Sequence, residues 1–168
     1  ALIKRVIPEK ASSFKVEMFQ PKDGKDCFEI ESKGNKIILR GNNGVSVASA
    51  LYHYLKYYCN AHISWNGDNL NLPSRLPEVP KKITRPTAFD HRVYLNYCTI
   101  SYTMAWWNWE RWQREIDWMA MHGINMPLAV IGQEAVWQNT LRRFKMNDDE
   151  IRTFLVGPAF QAWQWMTN

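Results

Sequence analysis

The chain has 168 residues, of which 46% are hydrophobic and 22% charged, with a formal net charge of +5. These proportions are typical of a globular protein and exclude intrinsic disorder, and no apolar run reaches the roughly 18 to 20 residues that a membrane-spanning helix needs. Aromatic residues make up 14% of the chain, more than a core alone requires. The basic residues form short groups rather than a continuous stripe, which argues against nucleic-acid binding.

Residues 1–72 predict a small α+β domain. The alternating runs at 14–19 and 27–32, followed by NKIILRG, predict antiparallel strands. Asn42, Asn43 and Gly44 predict the start of a helix that covers one side of this sheet. Apolar residues recur along one face of that helix at spacings of three and four, namely Val45, Ala48, Tyr52, Leu55 and Cys59. The HISW segment near Ile63 predicts a further short strand.

Residues 73–90 are rich in proline and predict an extended linker between two domains, because proline blocks both helix and central-strand hydrogen bonding. From residue 91 to 168 the pattern changes to alternating strands and helices. Residues 91–100 predict an apolar strand, and a long helix follows that Gly123 ends. We expect the buried stripe of this helix to contain Trp109, Trp112, Ile116, Met119 and Ala120.

A second strand is predicted at residues 124–131, and the segment GQEAVW begins a second helix. A third helical stretch runs from about residue 148 to 165, with an interruption at Gly157 and Pro158. The resulting βαβα order predicts an α/β fold with a parallel sheet, either doubly wound or closed as a barrel. Two such units would leave a strand edge unpaired, so we expect further residues after Asn168.

The cysteines and histidines show no metal-binding spacing. Cys27, Cys59 and Cys98 lie far apart and are odd in number, so at least one is expected to stay unpaired. The four histidines are equally scattered and fit structural roles. We expect no metal and no cofactor.

The candidate site residues follow the first strand of the second domain. In a regular strand Tyr94, Asn96 and Cys98 share one face, and the carboxyl ends of barrel strands border the active site. Asn96, Cys98 and the following Tyr102 are therefore candidates for ligand binding. In the alternative interpretation Asn96 caps a turn, Cys98 is a small buried apolar residue and Tyr102 anchors the loop. A nucleophilic role for Cys98 is not favoured, because no local base is evident.

Carboxylates in the second domain have ordinary explanations. Glu134 lies where the second helix starts, so it is able to bind a hydroxyl group or act as an acid, but the helix dipole already explains its position. Glu110, Glu115 and Asp117 fit a solvated or salt-bridged helix face. The sequence therefore offers no pair of catalytic carboxylates.

The segments NYCTISYTMAWWNWERWQREIDWMAMHGIN, GQEAVWQ and GPAFQAW closely resemble the start of the catalytic barrel of glycoside hydrolase family 89, the alpha-N-acetylglucosaminidases. The resemblance extends from about Arg92 to the last residue, and the upstream α+β unit fits the amino-terminal domain of that family. It implies a small amino-terminal domain followed by the first βα units of a truncated (β/α)8 TIM barrel. The implied whole enzyme is an exo-acting hydrolase that removes terminal alpha-linked N-acetylglucosamine with retention of configuration, in animals from heparan sulfate.

The resemblance also implies site residues. Asn96, Cys98, Tyr102 and Trp163 match family positions in the pocket of the terminal sugar, whereas the two catalytic Glu residues of the family belong to later strands outside this chain. The implied partners are a glycan with terminal alpha-linked N-acetylglucosamine and the remainder of the same polypeptide, with no nucleic acid and no membrane. The implied location is extracytoplasmic, that is periplasmic, secreted or lysosomal.

The chain departs from the family pattern at two places. Asn108 stands where the pattern has Asp, which affects a helix cap, and Val130 with Ile131 replaces a pair that contains Trp. Two other functions are left open by the residues themselves. One is a non-catalytic carbohydrate-binding module, in which tryptophans and basic residues hold sulfated glycans, and the other is a structural fragment whose aromatic residues serve packing alone.

Overall fold

The computed structural model describes residues 1–21, 23–96, 98–129, 132–155 and 157. Helices and strands are mixed, and the chain divides into two compact units. The first contains residues 1–92 and 113–125, and the second contains residues 93–112 and the chain from 126 onward. The described residues contain no closed barrel.

The first unit contains two whole helices, most of the helix that ends at Met121, a 3-10 helix at Pro8–Ser13 and six strands. The helices are α1 (Leu2–Val6) and α2 (Gly44–Tyr58). The strands are β1 (Phe14–Met18), β2 (Cys27–Lys33), β3 (Lys36–Gly41), β4 (His62–Ile63), β5 (Asp68–Asn69) and β6 (Ile83–Pro86). The predicted short strand near Ile63 is confirmed as β4, which pairs with β5.

The main sheet has four strands in the order β1-β3-β2-β6. Strands β2 and β3 form the predicted antiparallel pair, and Gly34 has a φ of 58° in the turn between them. The expectation that β1 is also antiparallel is wrong, because β1 pairs with β3 in parallel register, Phe14 beside Ile37. The chain reverses direction twice between these two strands, so a strand added on the far side of β3 runs the same way as β3.

Helix α2 starts where the sequence predicts. The Asn43 side chain accepts a hydrogen bond from the Ser46 backbone N–H at 2.9 Å, which caps the helix. Of the predicted stripe, Ala48, Tyr52, Leu55 and Cys59 are buried in the core of the first unit and Val45 is half-buried. The core also takes residues from the sheet and from neighbouring positions of α2, including Ile30, Leu39, Leu51 and Tyr54.

Part of the predicted linker belongs to the first sheet. Strand β6 pairs antiparallel with β2, from Cys27 beside Pro86 to Ile30 beside Ile83. Pro86 ends this edge strand, a position that needs no further ladder hydrogen bond. Val79 is buried, and its N–H donates to the Ser32 hydroxyl at 2.8 Å. The proline-rich segment is therefore extended, as predicted, and part of it pairs with β2 as a strand. The domain limits at 72 and 90 stay a prediction.

The second unit follows the predicted βαβα order. Strand β7 (Val93–Tyr94) pairs in parallel with β8 (Met126–Pro127), which confirms the parallel arrangement. Helix α3 (Trp109–Met121) lies between them in the chain, and α4 (Gln133–Arg143) and α5 (Asp148–Phe154) follow β8. Gly123, with a φ of 78°, follows α3 as predicted. Most of the predicted third helical stretch beyond α5 lies outside the described residues.

The predicted strand lengths in this unit are wrong. Each strand has two residues rather than the ten and eight that the apolar runs suggested. Leu95 has a φ of 72°, in the left-handed region and outside the extended region of regular strands, and β7 ends before it. The inference that Tyr94, Asn96 and Cys98 share one strand face is therefore wrong, because the alternation stops at Leu95.

The predicted buried stripe of α3 is also partly wrong. Met119 is buried, but Trp109 is 64% exposed and Ile116 is 47% exposed. Glu115 and Asp117 are buried instead, at 0% and 7% exposure.

Polar partners within the first unit explain why these two carboxylates are buried. The Trp65 indole N–H donates to Glu115 at 3.1 Å, and the Arg5 guanidinium holds Asp117 through two bonds of 2.6 Å. The bond to Asp117 raises the pKa of Arg5. The salt-bridged alternative for this helix face is therefore confirmed at Asp117, and the solvated alternative is wrong for both residues.

Candidate functional site

The two strands of the second unit end at one edge. Beyond the pair, the Leu128 N–H donates to the Tyr94 carbonyl at 3.0 Å, so the two chains still run side by side where they leave the strands. The loops at 95–108 and 128–132 both start there. In parallel α/β folds this carboxyl-terminal edge carries the ligand site, which makes these loops the candidate functional site.

Asn96 caps a turn at the start of the first loop. Its side-chain oxygen accepts hydrogen bonds from the Thr99 backbone N–H at 2.8 Å and from the Thr99 hydroxyl at 2.6 Å. A 3-10 helix, Thr99–Ser101, follows directly. The capping role described above as the alternative for Asn96 is thus present in the structure. It leaves the amide NH2 of this exposed side chain outside the two bonds.

Backbone bonds fold the rest of the loop into a compact turn. The Thr99 carbonyl accepts from the N–H groups of Tyr102 at 3.3 Å and Met104 at 3.2 Å, and the Cys98 carbonyl accepts from Ser101 at 3.0 Å. Met104 and Ser101 are buried, whereas the Tyr102 side chain is 42% exposed. The turn therefore has an inner, buried side and an outer side that carries Asn96 and Tyr102.

The loop ends in a packed aromatic group at the start of α3. The Arg111 guanidinium lies 3.8 Å from the Trp107 ring centre, and the rings of Trp107 and Trp112 meet edge to face at 5.0 Å. The Asn108 side chain accepts from the Arg111 N–H at 3.0 Å. Asn108 thus caps α3, so the departure from Asp at this position keeps a capping side chain.

The loop at 95–108 contains no Asp, Glu, Lys, Arg or His. It supplies amide, hydroxyl, thiol and aromatic groups, which suit hydrogen bonding to and stacking on a ligand, but no carboxyl or imidazole group for acid–base catalysis. Cys98 is half-buried, and Cys27 and Cys59 are buried. None of the three forms a disulfide, which agrees with the prediction that at least one cysteine stays unpaired. The described part of this loop therefore offers no carboxylate for catalysis.

The second loop leads into α4. Gly132 has a φ of 80° immediately before the helix, and Gln133 and Glu134 occupy its first turn, both half-buried. Glu134 therefore lies at the positive end of the helix dipole, where the sequence placed it. Val130, Ile131 and Trp163 lie outside the described residues. Of the four predicted site residues, the structure therefore places Asn96, Cys98 and Tyr102 but not Trp163.

Within the described ranges, no group of three or more His, Cys, Asp and Glu side chains is arranged to hold a metal ion. None of the helices in that part of the chain combines the length and apolar character needed to cross a membrane.

The chain matches the models of two domains that belong to one protein family. Residues 1–78 match the alpha-N-acetylglucosaminidase (NAGLU) N-terminal domain, and residues 92–168 match its tim-barrel domain. The human protein named alpha-N-acetylglucosaminidase is 42% identical over 173 aligned residues, which include 100% of this chain. The chain belongs to the alpha-N-acetylglucosaminidase family.

Solved structures of the family show the same fold. The family 89 glycoside hydrolase from Clostridium perfringens, in complex with 2-acetamido-1,2-dideoxynojirmycin, is 42% identical and aligns with 99% of this chain at a TM-score of 0.93. A form of the same Clostridium perfringens enzyme with two substitutions, in complex with its substrate GlcNAc-alpha-1,4-galactose, has the same identity, coverage and TM-score. This chain spans 23% of the human relative and 19% of the Clostridium perfringens chain.

Sequence reasoning missed Thr99, which makes the contacts that shape the loop. A signal was present, because Asn is a preferred capping residue whose side chain accepts a hydrogen bond from a backbone N–H two or three residues later. The long apolar run around it indicated a strand instead.

Proposed function

We propose that this chain is the amino-terminal part of an exo-acting, retaining alpha-N-acetylglucosaminidase that hydrolyses terminal alpha-linked N-acetylglucosamine. The observation that carries this proposal is the alignment of 99% of the chain, at 42% identity and a TM-score of 0.93, with a family 89 hydrolase whose substrate is GlcNAc-alpha-1,4-galactose. Family membership supports an extracytoplasmic location for the whole protein.

In the proposed enzyme this segment contributes one wall of the sugar pocket and no catalytic group. A retaining glycosidase uses two carboxyl groups about 5 Å apart, one as nucleophile and one as acid and base. The uncharged loop at 95–108 contains neither. Asn96 and Tyr102 hydrogen-bond the sugar, Cys98 gives a small contact surface, and Trp163 packs on the ring. The catalytic carboxylates belong to the rest of the polypeptide.

The apolar surface of the second unit supports a larger barrel. Its exposed side chains include Val93 at 63%, Trp106 at 76%, Trp109 at 64%, Val136 at 66% and Phe144 at 77%. Where such side chains form a large contiguous patch, they mark a surface that contacts other protein. We assign these faces to contact with the remaining strands and helices of a (β/α)8 barrel, of which β7, α3, β8 and α4 are the first two βα units.

The test is substitution in the full-length protein, with hydrolysis of an aryl alpha-N-acetylglucosaminide as the measurement. Asn96→Ala and Tyr102→Phe are expected to lower kcat/KM by about 10-fold or more, because each removes a hydrogen bond to a bound sugar. Matched controls are Asn35→Ala, at an exposed residue in the turn between β2 and β3, and Tyr57→Phe on α2, at a residue that is 63% exposed. Unchanged activity in both site variants would show that the pocket assignment is wrong.

A second measurement addresses the alternative of a carbohydrate-binding module. The proposed function predicts little binding of GlcNAc-alpha-1,4-galactose by the 168-residue chain alone, since most of the pocket comes from elsewhere. Binding by the isolated chain as tight as that of the full-length protein would favour the module.

A further inference from the structure

We propose that Thr99 is a positioning residue that fixes the side-chain amide of Asn96, so that Asn96 meets the sugar only as a hydrogen-bond donor. This inference rests on the proposed sugar-binding role of Asn96 and adds the direction of its hydrogen bond. Thr99 itself need not touch the ligand.

The backbone of Thr99 determines which end of the amide faces it. An N–H group bonds only to an acceptor, so the Asn96 atom at 2.8 Å from the Thr99 nitrogen is the amide oxygen. The Thr99 hydroxyl, 2.6 Å from the same oxygen, adds a second bond. An amide rotated by 180° would lose the backbone bond and place NH2 against N–H. Thr99 therefore selects one of the two amide orientations.

This orientation determines what Asn96 offers to a ligand. A carbonyl oxygen has two lone pairs, and both are directed to Thr99. The NH2 group, with two donors, is the part of the exposed side chain left for a sugar. The matching ligand group is an acceptor oxygen, either of a ring hydroxyl or of the acetamido carbonyl.

Thr99 bonds to both Asn96 and Tyr102, the two exposed residues proposed to contact the sugar. Its carbonyl accepts from the backbone N–H of Tyr102 at 3.3 Å and of the buried Met104 at 3.2 Å. The N–H and hydroxyl of Thr99 thus hold the Asn96 amide, while its carbonyl holds the turn that carries Tyr102. A change of the side chain alone leaves those carbonyl bonds in place, so the effect on Asn96 is separable from the shape of the turn.

The experiment uses steady-state kinetics of the full-length protein with an aryl alpha-N-acetylglucosaminide. Thr99→Val, which removes the hydroxyl but keeps the shape, is expected to raise KM by about 2- to 10-fold with a smaller change in kcat. Thr99→Ser is expected to restore KM to within about 2-fold, since it keeps the hydroxyl. Thr103→Val, at an exposed threonine of the same loop, is the matched control.

Asn96→Asp tests the donor directly. A carboxylate accepts both Thr99 bonds but has no NH2, so the variant is expected to keep the Tm of the wild type and to lose about 10- to 100-fold in kcat/KM. Competitive inhibition by deoxy analogues of N-acetylglucosamine and by glucosamine identifies the acceptor. The analogue that loses affinity for the wild type but not for Asn96→Asp lacks the oxygen that Asn96 contacts.

The outcomes separate this inference from the proposed function. If Asn96→Ala lowers activity while Asn96→Asp matches the wild type, the donor assignment is wrong and the pocket assignment stands. Equal KM values for Thr99→Val and Thr103→Val would overturn the role of Thr99. If neither Asn96→Ala nor Tyr102→Phe changes activity, the pocket assignment itself fails. If the Thr99→Val protein does not fold, the comparison of Asn96→Asp with the wild type still tests whether Asn96 acts as a donor. A kcat/KM equal to that of the wild type would then overturn the inference.

Discussion

The two units differ in the distance along the chain that their side-chain contacts span. In the first unit, Arg5 and Asp117 are 112 positions apart and Arg92 and Asp26 are 66 apart. In the second unit, the described side-chain bonds of Asn96, Asn108 and Asn147 reach only two or three positions along the chain. Long-range contacts fix the first unit, whereas capped turns give the second its local order.

The units also differ in how they bury apolar surface. Ile30, Leu39 and Leu51 of the first unit are 0% exposed, whereas Trp106 and Phe144 of the second are 76% and 77% exposed. The first unit therefore has a core of its own. The second presents surfaces that the proposed barrel would cover, and the following predictions test this difference.

The largest effect is expected in the core of the first unit. Leu51→Ala removes a fully buried side chain from α2 and is expected to lower the free energy of unfolding of this unit by about 2 to 5 kcal/mol. Native-state hydrogen exchange of the α2 amides in the full-length protein measures the change. Lys56→Ala, at an exposed position of the same helix, should change it by less than about 0.5 kcal/mol.

Trp109→Ala is expected to have a somewhat smaller effect. It tests whether the exposed apolar face of the second unit is covered by the proposed barrel or stays in water. If further barrel elements cover Trp109, as proposed, the substitution in the full-length protein should lower stability near α3 by about 2 to 4 kcal/mol. Hydrogen exchange of the α3 amides is again the measurement, with exposed Glu110→Ala as the control. A change below about 0.5 kcal/mol would mean that this face stays in water.

The smallest effect concerns pH. Burial lowers the pKa of His122 below 6.5, with charge repulsion from His62 and Lys56 acting in the same direction, while the Trp118 carbonyl and Glu115 oppose it. The unfolded chain then binds more protons than the folded one just below pH 6.5, so the first unit loses stability as pH falls through this window.

His122→Gln is expected to reduce that loss. The difference in stability between pH 7.5 and 5.5, from hydrogen exchange corrected for intrinsic rates, should shrink relative to the wild type. His91→Gln, at an exposed histidine, is the control. An unchanged pH dependence in His122→Gln would assign the effect to other groups.

Much of the fold could be predicted because local signals coincide with element ends. Asn43 caps α2, Gly123 follows α3, and the GQEAVW segment begins α4 beside Gly132, all as expected. The order βαβα also implied the parallel pairing of β7 and β8. The helix ends depend on residues within one or two turns of each other, whereas the parallel pairing follows from the order of the elements along the chain.

The errors came from contacts and conformations that the sequence pattern does not carry. The burial of Asp117 requires Arg5, which is 112 positions away, so helical periodicity alone placed the wrong face inward. In the site, the sequence predicted Tyr102 in the loop and offered a turn cap as the alternative role of Asn96, but it placed Asn96 on a strand at 91–100 and did not identify Thr99 as the donor to that cap.

The backbone at Leu95 has a consequence for engineering. A leucine in the left-handed region costs roughly 1 to 2 kcal/mol relative to a relaxed conformation, and this one directly precedes the proposed sugar contact. Leu95→Gly would remove that cost, but it would also remove a half-buried leucine side chain and increase the conformational entropy of the unfolded chain. Asparagine, which tolerates the left-handed region better than leucine and costs less entropy than glycine, is therefore the better replacement for relieving strain at this turn.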